Sequence, residues 1–179
     1  MTNVFHYTKG YCMASIIADG CIKREGEAGN YMIKDGHTAN MFGVEPRVWF
    51  TTEKQMPFTA TPVITDNKGE KPFMFMQMTV SRGYAAWAPM AGGVFRLAFD
   101  AEIIGAKRYW YNEIRQALVA NDKLALFEKS AKLGNDDVRS WYHCDAPVSL
   151  QFLKYVETWN DGSWEKTTPS ETYALPKAA

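Results

Sequence analysis

The sequence predicts an α+β fold on three observations. Stretches of β-forming residues recur along the whole chain, at residues 3–8 (NVFHYT), 48–52 (VWFTT), 94–99 (VFRLAF) and 150–159. Helical spacing of apolar residues falls between them, at 13–17 and over 111–133. Finally, 46 % of the 179 residues are apolar and 14 % aromatic, whereas a disordered chain is poor in both. A chain of this length can bury one sizeable core, so a single domain over 1–166 is expected, with 167–179 as a flexible tail.

Charge and cysteine content narrow the function classes. Twenty basic residues balance twenty acidic ones, so no global field attracts a polyanion, and any nucleic-acid contact requires a local patch. Cys12, Cys21 and Cys144 are odd in number and contain no CxxC pair, which predicts neither a disulfide framework nor a zinc knuckle and points to a reducing compartment. No run reaches the roughly 18 apolar residues of a membrane span, and no apolar leader precedes Val4. A cytoplasmic protein without a membrane partner and without a metal is the expectation.

In chain order, the first strand at 3–8 is followed by a short helix through Met13, Ile16 and Ile17, which Gly20 stops. Residues 23–47 are polar and glycine-bearing and predict a long loop, a feature that tends to be functional in compact domains. After the strand at 48–52, the prolines of 55–62 predict irregular structure, because each removes a ladder donor. Asn67, Lys68 and Gly69 form a turn signal, and 73–80 (FMFMQMTV) suits a buried strand. The longest helix is expected over 111–133, carried by Ile114, Leu118, Leu124, Phe127, Ala131 and Leu133, broken near Asn121 and Asp122, and stopped by Gly134. A last long strand at 150–159 turns at Asn160, Asp161 and Gly162 and folds Trp164 back as a hairpin.

Several side chains could carry chemistry. Period-two geometry places His6 and Thr8 on one face of the first strand and Phe5 and Tyr7 on the other. In the last strand, Glu157 shares a face with Leu153, Tyr155 and Trp159. A carboxylate among apolar neighbours must be paired or line a cleft, and such surroundings are also how an enzyme tunes an acid; a glutamate reaching water from an edge strand is the competing reading. The stretch Lys107-Arg108-Tyr109-Trp110-Tyr111, with Arg115 one turn on, interleaves cations and aromatics as single-strand nucleic-acid binders do, in competition with a helix start whose aromatics dock on the sheet. His143 and Cys144 suggest a thiol nucleophile, but neighbours in a strand point apart, so the pair is disfavoured.

Taken in order, His6-Tyr7-Thr8 in a first strand, a helix ending in Ile17-Ala18-Asp19-Gly20-Cys21-Ile22, a variable loop and Val48-Trp49-Phe50-Thr51 resemble the NAD-binding half of the ADP-ribosyltransferase superfamily, in its histidine-first branch. Val94-Phe95-Arg96-Leu97 and Val156-Glu157-Thr158-Trp159 fall where that family carries a further strand and the strand of its catalytic glutamate. The resemblance implies split antiparallel sheets with flanking helices, NAD as substrate, and ADP-ribosyl transfer to an unknown acceptor, a protein or a nucleic-acid base, or else NAD hydrolysis. It implies that His6 anchors a ribose with Thr8 in support, that Phe50 or Trp49 in the segment through Thr51 stacks on nicotinamide, and that Glu157 stabilises an oxocarbenium-like transition state. Glu102 is a weaker substitute for Glu157. The family has tyrosine where this chain has Trp49-Phe50.

Arg24 and Arg47 flank the loop and could clamp a pyrophosphate, in competition with a plain surface role. No GxGxxG follows a strand, so a Rossmann mode of NAD binding is not indicated. A role in toxin or phage–host conflict is an analogy of fold alone. The rival reading is a non-catalytic nucleotide- or protein-binding module on the same fold. Convergence of His6, Phe50 and Glu157 in one cleft would distinguish the enzyme.

Overall fold

The first strand, β1 (Asn3–Lys9), runs directly into α1 (Gly10–Asp19), and Gly20, at φ +65°, ends that helix with its N–H donating to the Ile17 carbonyl. The structure, a computed structural model, describes residues 1–24, 45–54, 93–128, 131, 136–160 and 162–168. Residues 25–44 of the loop expected over 23–47, the irregular stretch at 55–62, the turn at 67–69, the strand at 73–80, the helix residues Leu133 and Gly134 and residues 169–179 of the tail expected over 167–179 lie outside the described residues.

The remaining described elements are β2 (Cys21–Ile22), β3 (Val48–Thr51), β4 (Val94–Asp100), β5 (Lys107–Arg108), α2 (Glu113–Ala120), α3 (Leu124–Phe127), β6 (Trp141–Cys144), β7 (Val148–Ser149), β8 (Tyr155–Asn160) and β9 (Ser163–Thr167). The chain is thus α+β. A seven-stranded sheet has the order β5-β6-β3-β1-β4-β8-β9 with every pair antiparallel, and β2 pairs with β7 in a second small sheet.

Two predicted elements change at their ends. The long helix divides into α2 and α3, because Asp122 adopts φ +56° and the Lys123 N–H closes back on the Leu118 carbonyl at 2.8 Å. Upstream of α2, Tyr109–Tyr111 forms a 3₁₀ turn, and the Asn112 side chain caps α2 by accepting from Ile114 N. The last strand starts at Tyr155 rather than at 150, since Leu150–Phe152 winds into a 3₁₀ turn whose Ser149 hydroxyl accepts from Gln151 N. The expected hairpin forms, with Trp159 opposite Trp164.

Register fixes which side chains share a face. Tyr7, Arg96 and Glu157 stand opposite one another across β1, β4 and β8, and Phe5 is opposite both Thr51 and Ala98. His6, Leu97 and Val156 form the next row and point to the other side. That second side carries the main core, where Met13 and Ile16 of α1 pack with Val4, Phe50, Phe95, Leu97 and Phe99. On the first side, α2 and α3 bring Ile114, Leu118 and Phe127 onto Tyr109, Trp141 and Trp49. With material on both faces, all seven residues of β4 are buried, which is why that strand reads as an almost continuous apolar run.

Candidate functional site

β1 makes very different contacts with its two neighbours. It pairs with β4 at seven positions, from Asn3↔Asp100 to Lys9↔Val94, but with β3 only at Phe5↔Thr51. Beyond that one pair no further ladder pairing joins the two strands among the described residues. His6 bridges them, its Nδ1–H donating to the Trp49 carbonyl at 3.0 Å. The ring of His6 meets Phe50 edge-on, with centroids 5.8 Å apart. Because a carbonyl can only accept, the neutral imidazole carries its proton on Nδ1 and presents Nε2 as an acceptor. Burial lowers the His6 pKa below the ordinary 6.5, with the Trp49 bond opposing in part, so the neutral tautomer prevails at neutral pH. Thr8 lies buried on the same face.

The predicted constellation does not assemble as one site. His6, Thr8 and Phe50 occupy one face of the sheet, and Trp49, Thr51 and Glu157 the other, so His6 and Glu157 cannot reach one ribose from a common side. The joint site containing both is therefore corrected. Of the two stacking candidates, Phe50 accompanies His6, whereas the Trp49 ring is packed among Tyr109, Phe127, Trp141 and His143 at 5.6–6.2 Å. Thr51 shares a 2.9 Å hydroxyl hydrogen bond with Ser140 and accepts from Glu53 N. Arg47 places its Nε 2.9 Å from Asp145 Oδ1, so its charge is already met by a carboxylate. Glu102 is exposed in the turn after β4, its N–H donating to Asp100 Oδ1.

Glu157 has a partner that the sequence reading did not assign. Arg96 Nε donates to Glu157 Oε2 at 2.5 Å, Arg96 Nη1 donates to the Lys54 carbonyl, and the guanidinium lies over Phe5 and Trp164 at 5.0 and 4.5 Å. Tyr7 adds a hydroxyl bond to the Glu53 carbonyl at 2.7 Å, and burial raises its pKa. Only 8 % of Arg96 and 9 % of Glu157 is exposed, which makes this a buried ion pair and accounts for a carboxylate on an apolar face. The available clue was Arg96 itself, a cation in the middle of an apolar strand, which requires an opposite charge nearby.

A second polar cluster sits where β5 and β6 meet. Asp145 receives Lys107 Nζ at 2.6 Å and lies within 3.2 Å of His143 Nδ1; the Lys107 bond is the main reason its carboxyl titrates low. His143 is fully buried and its pKa is lowered by desolvation, with Asp145 opposing. Cys144 points to the other face, donates to the Ile104 carbonyl at 3.5 Å, and has its thiol pushed up to about 12 by burial, the opposite of what a thiol nucleophile requires.

The basic-aromatic stretch docks on the fold. The Tyr109 hydroxyl donates to Glu128 Oε1, Arg115 caps Trp110 at 4.0 Å while pairing with Glu128, and Lys107 is held by Asp145. Tyr111 alone of its aromatics is largely exposed. No described helix is long and apolar enough to cross a membrane, and no group of three metal-ligating side chains occurs among the described residues.

Fold and site together define an α+β protein built on an antiparallel sheet, with a histidine on β1 bonded to the backbone of β3. No protein-family model, curated protein or solved structure matches the chain.

Proposed function

We propose that the chain binds a nicotinamide dinucleotide at the His6 bridge between β1 and β3, in the manner of the ADP-ribosyltransferase-like proteins that its ordered motifs resemble. The tautomer of His6 carries this reading. Its Nδ1–H is committed to Trp49, and among the described residues Nε2 has no partner, which leaves a neutral acceptor suited to a ribose hydroxyl.

Transfer of the ADP-ribosyl group to a protein or nucleic-acid acceptor, in the cytoplasm, is the second reading, favoured by the order of the HYT, DG and VWF motifs. In it Glu157 does not touch the ribose that His6 holds, and the developing cation is stabilised by another group. The test is calorimetric titration with NAD, together with nicotinamide release in the presence and absence of cell extract. Wild type and Glu157→Gln are expected to bind NAD alike, and His6→Ala to lose about tenfold or more, the size of one hydrogen bond to a well-placed acceptor. Absence of NAD binding by the wild type refutes the proposal. Nicotinamide release that a folded Glu157→Gln abolishes would return Glu157 to the catalytic role.

A further inference from the structure

Going beyond the nucleotide reading, we infer that the open end of the β8–β9 hairpin, opposite its turn, is a second binding site, for a small molecule bearing a phosphate on an apolar body. A cavity of about 460 Å³ opens there, walled by Leu153, Lys154, Tyr155, Lys166, Thr167 and Thr168, a size within the range of small-molecule pockets. Two lysines line it. Lys154 Nζ donates to the neutral Asn3 side chain at 2.7 Å, and Lys166 Nζ lies over the Tyr155 ring at 5.0 Å. Lys166 stands opposite Glu157 in the ladder, but that carboxylate is taken by Arg96. Neither ammonium meets a carboxylate among the described residues, whereas Lys23, Arg47, Arg96, Lys107, Arg115 and Arg139 all do. Two cations that meet no carboxylate among the described residues, in a wall that holds no acid, select an anion, and Leu153 and Tyr155 beside them select an apolar or aromatic body.

Phenyl phosphate is the probe, titrated into the full chain and followed by amide chemical shifts. Saturable movement at Tyr155, Lys166 and Thr167 is expected, with affinity weakened about tenfold or more in Lys154→Gln/Lys166→Gln and unchanged in His6→Ala. Phenol, which lacks the charge, should leave these amides unmoved. The inference is overturned by no saturation up to roughly 10 mM, by equal binding to the double variant, or by binding that disappears with His6. The last outcome would assign the phosphate to the His6 site. Both lysines lie on the surface and their replacement preserves the core, so a folded variant is available for the comparison.

Discussion

Replacement of Glu157 separates a structural carboxylate from a catalytic one. In Glu157→Ala the Arg96 guanidinium stays between Phe5 and Trp164, 8 % exposed, with only the neutral Lys54 carbonyl and Tyr7 hydroxyl as hydrogen-bond partners. Removing one member of a buried pair costs about 3–5 kcal/mol, because the survivor is a desolvated charge without compensation. For a chain of this size each kcal/mol lowers Tm by about 2–4 °C, so Glu157→Ala should melt roughly 6–20 °C below wild type. Glu157→Gln keeps an acceptor for Arg96 Nε and should lose less, about 2–3 kcal/mol. Arg96→Met/Glu157→Leu removes both charges while preserving bulk and should recover most of the loss. Urea denaturation monitored by tryptophan fluorescence gives all three values. A cost below about 1 kcal/mol for Glu157→Ala, the range of exposed pairs, would refute the buried-pair account.

Three further outcomes follow from the same structure. Folding holds His6 and His143 below the ordinary 6.5, so below that pH the unfolded chain binds more protons than the folded one; stability present above pH 6.5 is lost as pH falls toward the folded-state values, at up to about 1.4 kcal/mol per pH unit for each histidine. Urea midpoints that were equal at pH 7 and pH 5 would contradict this. A thiol reagent should modify the half-buried Cys12 and Cys21 in the native protein and reach Cys144 only on unfolding, as peptide mapping after labelling would reveal; prompt modification of Cys144 would refute its burial. Gly20→Ala forces a side chain into φ +65° with nothing else within 4 Å to clash, so a loss of about 1 kcal/mol is expected in the same denaturation assay, and no loss would mean the helix end had rearranged.

Much of the architecture was legible locally. β1, β3 and β4 follow from β-forming composition, the end of α1 from Gly20, the break between α2 and α3 from Asn121-Asp122, and the β8–β9 hairpin from the Asn160–Gly162 turn. Each depends on conformational preferences within a few residues. Four short strands were less visible: β2, β5 and β7 are two residues long, and partners distant in the chain create them. β6, at Trp141–Cys144, was suggested only by the alternating directions of His143 and Cys144.

By itself the sequence determined the alternation inside each strand: His6 with Thr8, Tyr7 with Phe5, Glu157 with Tyr155. It could not relate the alternation of one strand to that of another. The relation is set by register, which long-range backbone pairing chooses, and a slip of one residue exchanges every side chain between the faces. Tertiary structure decided that Tyr7, Arg96 and Glu157 form one row and His6, Leu97 and Val156 the next. For that reason Glu157 found the Arg96 guanidinium, and His6 found the carbonyl of Trp49.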